Sequence, residues 1–548
     1  MLARALPLSS LCLLLACAAA PPAPTPPDAK ACGPVCAELG KVRLGEARPT
    51  AQDARAFVER TSDELKRLQV RAGIAEWVKS TYITDDTERL AAELNDEALA
   101  VQTRAVKEAA RYASVPGLDP VTARQLLLLR LNGAGPEDSA HRLELTTLNA
   151  KLEGLYGKGK WCGADGKAPC RDLEVLSQVM ARSRKYDELL DAWVGWHSIA
   201  REMKPLYARA VELQNEGARG IGFTDTGALW RSGYDMVPEA FEQETDRLWQ
   251  QVKPLYDDLH CYVRGRLQQK YGKDKVPDHA PIPAHLLGNM WAQTWENVYP
   301  LVEPYPGTAP LDVTAAMVKQ KWDATRVART GEAFFTSLGL DPLPKTFWER
   351  SMLVKPRDRE VVCHASAWNP NVDDDLRIKM CIQPDEESLG TIHHELGHNY
   401  YEHYYYKLPW LFHAGANDGF HEAIGDAVLL SVTPAYLKEL GLLSSLPKDD
   451  KGLINVQMKD ALGSVAFLPF GKLIDQWRWD VFSGKTKPEG YNARWWQLRT
   501  GLQGVAAPVA RSEADFDPGA KYHVPANVPY TRYFLARVLQ YQFRRAMC

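Results

Sequence analysis

The chain has no basic stripe. Its lysines and arginines are scattered and slightly outnumbered by acids, for a formal net charge of −3 over 548 residues. Nucleic acid is therefore not an expected partner. Beyond the first twenty positions it has no uninterrupted apolar run of the roughly twenty residues that span a bilayer, so any membrane attachment has to come through the N-terminus. No two cysteines stand in a C-x-x-C pair, which removes a cysteine zinc module. No repeat of solenoid length recurs. Few stretches alternate apolar and polar residues, so little sheet is expected.

What is there is mostly helix. From Thr50 to about Ser114, Ala54-Phe57-Val58, Leu65-Leu68-Val70 and Ala91-Ala92-Leu94-Ala98-Leu99 recur at three- and four-residue spacing. Pro116 ends that block and Pro120 opens the next. Similar patterns run through Thr122–Asn132, Leu173–Val194, Pro238–Tyr271 and Thr314–Leu338. The fold class is all-α, or mainly α with a minor sheet near Val361–Ile382. Long helices packed in this way leave a cleft between two halves of one domain.

The N-terminus is of a different kind. Residues 1–17 carry Arg4 and then an apolar run, Leu6 to Ala16, which is a signal-peptide pattern. Leu14-Leu15-Ala16-Cys17 resembles a bacterial lipobox. Residues 18–36, rich in alanine and proline, form an extended tether, and the folded domain is placed at 37–548. Acylation at Cys17 gives a lipoprotein of the cell envelope, periplasmic or outer-membrane. Ordinary cleavage after Ala18 or Ala20 gives a secreted protein instead.

An oxidising compartment favours disulfides. Cys162 and Cys170 bracket a Gly/Asp/Pro turn and are expected to pair. Cys363 and Cys381 flank His364–Trp368 and the Asp373–Asp375 turn, where a bridge staples the floor beside the helix that follows. Cys32 and Cys36 form a further candidate pair. Cys261, in a helical stretch, is read as a free buried thiol; Cys548 has no evident partner.

The chemistry concentrates at His393-His394-Glu395-Leu396-Gly397-His398, which contains H-E-x-x-H. On a helix, His394 and His398 share a face and can hold one metal ion. Glu395 stands beside the metal without ligating it, where a general base belongs. Phe420-His421-Glu422-Ala423-Ile424-Gly425-Asp426 reads as a second helix start, with Glu422 and Asp426 on one face. Two histidines and a glutamate are a catalytic zinc set with a fourth position open. Asp426 then receives the other N–H of a ligand histidine and fixes its tautomer.

Longer stretches carry a resemblance. Val361-Val362-Cys363-His364-Ala365-Ser366-Ala367-Trp368, Pro281–Gly288, Gly222–Gly227 and Asp515–Lys521 resemble the angiotensin-converting-enzyme family of zinc dipeptidyl carboxypeptidases, in a bacterial-type member. The similarity runs from about Ala54 to the end. It implies a mainly helical ellipsoid with a deep central channel lidded by N-terminal helices, and a peptidyl-dipeptidase acting on short peptides with a free C-terminal carboxylate. It places His523 and Tyr533 as oxyanion donors, and His364 and Ala365 against the substrate backbone. Lys521, Gln293 and Tyr530 become the clamp on the terminal carboxylate. Relatives that remove single residues carry arginine at the Gln293 position, so glutamine favours dipeptide release.

The resemblance also implies chloride as an activator, at Arg231, Arg499 and Trp495 and again at Tyr262 and Arg532, because a guanidinium buried without a carboxylate needs an anion. Arginine–carboxylate bridges are the alternative there. Ser388 and Thr391 are smaller and less acidic than in animal relatives, which leaves the side-chain preference on the leaving side open. Family members continue past Cys548 for several helices, so the domain is read as truncated or its terminal helices as dispensable. A monocarboxypeptidase or oligoendopeptidase with the same zinc centre, and a catalytically silent peptide-binding envelope protein, are the rival functions.

Overall fold

Thr50 opens the first long helix because its hydroxyl accepts from the Asp53 N–H while Asp53 reaches back to the Thr50 N–H. That helix is α1 (Ala51–Thr81), followed by α2 (Asp85–Ala110). The periodicity from Thr50 to Ser114 is continuous, but the chain breaks at Thr84, whose hydroxyl caps α2 through the Thr87 N–H. The Leu173–Val194 and Thr314–Leu338 patterns are likewise each two helices. In the second, Asp323 caps Ala324–Ser337 through the Arg326 N–H. Periodicity carries across a short break; only the cap residues mark it.

The computed structural model describes residues 49–133, 135–307, 313–359, 361–363, 365–446 and 449–548. The leader, the tether, Cys32, Cys36 and His364 lie outside the described residues. Thr50–Cys548 cluster as one unit. Its architecture is mainly helical, as the patterning predicts. Four short strands are β1 (Ile282–Pro283), β2 (Ser366–Trp368), β3 (Arg377–Lys379) and β4 (Val505–Ala506). β2 and β3 pair antiparallel with Ser366 opposite Lys379, inside the expected Val361–Ile382 segment. The parallel β1–β4 contact has no sequence signal, since two residues show no alternation. Among the described residues, no helix is long and apolar enough to cross a membrane.

Five further helices position the site: α3 (Pro238–Tyr271), α4 (Glu386–Tyr405), α5 (Asp418–Leu429), α6 (Leu468–Phe482) and α7 (Thr531–Met547). Asp385 caps α4 through the Ser388 N–H, and Glu386 and Glu387 favour its positive end. Asn417 caps α5. α5 packs against both α4 and α7. The approach to α4 is close: a Cβ on Gly397 would stand 2.9 Å from the Gly425 Cα. Two glycines therefore let the ligand-bearing helices nearly touch. α6 is buried on every face, which makes it the axis of the largest apolar core, with Phe470, Leu473 and Trp477 fully enclosed.

Both described disulfides form as expected, Cys162–Cys170 and Cys363–Cys381. The second closes the β2–β3 hairpin under α4. Cys261 is free but exposed, not buried. It lies on the outer face of α3, whose inner face carries Tyr256, Leu259 and Val263.

Candidate metal centre

Helical spacing and the glycine contact together bring three donors to one point. His394 Nε2 and His398 Nε2 lie 3.1 Å apart, and Glu422 Oε2 stands 3.5 Å and 3.8 Å from them. These ligand atoms all fall within 4.8 Å of one another, the spread a small divalent cation closes. The electrostatics fit a cation. Burial opposes charge on His394, yet bonds to Asp426 and Glu422 raise it to about 10. Burial and the charge of His394 push His398 down to about 3. Two carboxylates thus draw positive charge to this point, and a cation bound there takes the place of the proton on His394.

The outer nitrogens of both histidines are held. His394 Nδ1 lies 3.2 Å from Asp426 Oδ1, and Asp426 Oδ2 is 3.3 Å from Arg537. His398 Nδ1 lies 2.8 Å from His421 Nδ1, and His421 Nε2 is 3.0 Å from the Tyr405 hydroxyl. With His398 Nε2 kept as a lone pair for metal, its Nδ1–H donates to His421, whose Nε2–H then donates to Tyr405. His421 and Arg537 were not singled out by sequence. His421 sits beside Glu422 and is the one that spacing arguments had within reach.

Glu395 is 8% exposed. Burial raises its carboxyl and the charge of Glu422 adds to that, while His394, Lys379 and the Ala367 N–H work the other way. The base candidate is thus fixed against the edge of β2. His364 lies outside the described residues; Ala365, just before β2, packs against the core around α4.

His523, Tyr530 and Tyr533 form one aromatic cluster. The His523 ring is 4.7 Å from Tyr530 and 5.5 Å from Tyr533, edge-on to both. Tyr533 is held neutral, first by burial and then by the charge of Glu422, with Asp418 and Glu395 adding to it and Arg532 opposing. Its hydroxyl is therefore a donor. Lys521 is buried and its Nζ donates to Gln293 Oε1 at 2.7 Å. It lies over Trp291 and Tyr530, and burial alone lowers it to about 7. Among the described residues no carboxylate pairs with it. The arrangement suits an incoming carboxylate.

The expected anion groups assemble differently. Arg499 is buried beside Trp495, with NH1 donating to Trp291 O, and burial lowers it to about 9. Arg231 does not join them. It faces Glu242 at 3.6 Å and lies over Trp479, nine residues along α6 from Phe470, over which Arg499 lies; that is roughly 13 Å of helix. His197 takes the place beside Arg499, and its proton affinity is lowered by burial and by Arg511 and Arg499. Tyr262 donates to Val302 O and not to the neighbourhood of Arg532. Arg532 pairs with Asp418 at 3.0 Å, with Tyr234 as its aromatic neighbour. The first grouping fails on helix position and the second on a carboxylate already present.

A family model described as angiotensin-converting enzyme, of the peptidase M2 class, matches residues 48–548. The chain is 44% identical over 511 residues to the angiotensin-converting enzyme of Mus musculus, covering 92% of this chain and 39% of that protein. To that of Bos taurus it is 45% identical over 507 residues, 90% and 38%. To that of Theromyzon tessulatum it is 41% identical over 505 residues, 91% and 82%. The chain thus spans under half the length of the Mus musculus and Bos taurus enzymes.

Proposed function

Because this chain belongs to the angiotensin-converting-enzyme family, we propose that it is a zinc peptidyl-dipeptidase releasing C-terminal dipeptides from short peptides. The observation that carries this is a buried lysine that, among the described residues, has no carboxylate, Lys521 on Gln293, lying over Tyr530, whose ring neighbour Tyr533 faces Glu422 of the His394–His398–Glu422 trio. His394, His398 and Glu422 would hold a zinc ion, which would supply Lewis-acid chemistry toward water and the scissile carbonyl. Glu395 accepts the proton of the attacking water and returns it to the leaving nitrogen. Tyr533 and His523 donate to the oxygen on which negative charge develops. Lys521, Gln293 and Tyr530 bind the terminal carboxylate and so measure two residues back to the scissile bond.

Digestion of a defined hexapeptide followed by mass spectrometry tests the reading. Paired residue losses are expected, abolished by a chelator and weakened at least tenfold in kcat/KM by C-terminal amidation. Single losses support a monocarboxypeptidase, internal cuts an oligoendopeptidase. No turnover at full zinc occupancy supports a silent binding protein.

Gly425→Ala is expected to weaken zinc. The added methyl would stand 2.7 Å from His394 Nδ1 and 2.9 Å from His394 O, forcing the ligand and its helix away from Asp426. Displaced outer contacts of this kind cost about 10–100-fold in metal affinity, which chelator competition on folded protein measures.

Chloride enters the proposal only at Arg499. A buried guanidinium with no paired carboxylate among the described residues, ringed by Trp495, Trp496 and Phe470, favours a monovalent anion. Activity on a blocked tripeptide is expected to rise between chloride-free buffer and physiological chloride in wild type. Equal rates remove the anion. Residues 1–17 support export, and Cys17 a lipid anchor at the cell envelope; incorporation of radiolabelled palmitate tests the anchor.

A further inference from the structure

Glu402 lies two turns beyond Glu395 on the same face of α4 and has no part in the chemistry above. Asn399 Nδ2 donates to its Oε2 at 3.1 Å. Among the described residues no cationic side chain pairs with it. Burial raises its carboxyl to about 8, the Asn399 bond opposes this, and the charge of Glu395 adds to it. A half-buried carboxylate without a cation is costly unless something brings one.

Glu402 forms part of the wall of a cavity of about 340 Å³. Tyr405 of α4, Trp368 and Ala367 of β2, Glu76 of α1 and Asn95 of α2 complete the part that matters. Glu76 is already compensated, by Lys79 at 2.6 Å and by Asn95 Nδ2 at 2.6 Å. Glu402 is therefore the acid in this wall that, among the described residues, lacks a cation; a cationic side chain arriving there would draw off its proton, and Trp368 and Tyr405 offer aromatic faces beside it.

The cavity is joined to the centre by β2. The Ala367 N–H reaches Glu395, and Ala367 also lines the cavity. It lies at the opposite end of α4 from the clamp. At the N-terminal end of α4, Glu386 pairs with Lys459, on the helix whose Leu462 O accepts from Trp295 N, two residues from Gln293. A peptide held by Lys521 and cut beside Glu395 then continues N-terminally toward Glu402. The seven residues from Glu395 to Glu402 are about 10 Å of helix. An extended peptide advances about 3.3 Å per residue, and a lysine or arginine side chain adds about 6 Å of reach. The second residue before the scissile bond is the one that arrives.

On the peptidyl-dipeptidase reading, we propose that this cavity is a subsite for a basic side chain, lysine or arginine, two residues before the scissile bond, with Glu402 as its counter-ion. The enzyme thereby selects short peptides that are cationic at that position.

The test uses acetyl-Xaa-Phe-His-Leu with Xaa either arginine or its neutral isostere citrulline. Two readouts are taken: His-Leu release by wild type, and binding of fluorescent versions to the Glu395→Gln variant. Arginine is expected to be favoured about tenfold or more over citrulline in both. Adding Glu402→Gln is expected to bring each ratio near one. Glu402→Arg is expected to favour Xaa glutamate, with zinc content and melting temperature checked for each variant. Equal binding of the two peptides, or an arginine preference that survives Glu402→Gln, overturns the subsite. Absent His-Leu release with an intact arginine preference in binding overturns the activity reading and leaves the subsite standing.

Discussion

Glu395→Gln is expected to lower kcat for dipeptide release by about 10²–10⁴-fold while zinc content stays unchanged. The amide matches the carboxylate in size. It fits the same 8%-exposed place and still accepts from the Ala367 N–H through its oxygen. What it lacks is a basic oxygen to take the proton of water. The candidate metal donors are His394, His398 and Glu422, so the ion is not expected to be lost with the base. His394→Ala gives the contrasting result, loss of zinc and activity together. Turnover and zinc are read on the same protein, by product release and by metal analysis. A Glu395→Gln enzyme retaining more than a tenth of its turnover means that another group is the base.

Asp475→Ala is expected to destabilise the fold by about 3–5 kcal/mol, because it strands a buried guanidinium. Asp475 and Arg478 are 2% and 0% exposed and pair at 2.5 Å. Asp475 Oδ2 also accepts from Tyr530 N, Thr531 N and the Thr531 hydroxyl at 2.7, 2.7 and 2.8 Å. Arg478 donates to His523 O at 2.9 Å and Val528 O at 2.6 Å. The pair therefore ties α6 to the segment that presents His523, Tyr530 and Tyr533. The loss extends to catalysis. kcat is expected to fall at least tenfold in protein that is still folded and zinc-loaded, since the donors lose their anchor. Urea unfolding and turnover well below the transition measure the two effects separately. An unchanged urea midpoint excludes the anchoring role.

Much of the helical body was readable because burial repeats at helical spacing. Pro238–Tyr271 begins and ends where its pattern does. The breaks at Thr84 and Asp323 were missed, because a cap changes one residue and leaves the apolar register intact. Cys261 lies on the exposed face of its helix and not the buried one, and a thiol is compatible with either. Lys521 and Gln293 were expected together and do meet. Arg231 and Tyr262 were expected at anion sites and have other partners.

The sequence alone determined the parts that local geometry enforces. Residues four apart on a helix share a face, so His394 with His398 and Glu422 with Asp426 were fixed before any packing was known. Only the tertiary structure decided how those faces meet and which charge answers which. His421 behind His398, Asp418 against Arg532, Asp475 under the Tyr530 turn and the cavity at Glu402 all join segments far apart in the chain. Such pairings depend on how helices cross, and helical periodicity says which side of a helix is buried but not what lies opposite.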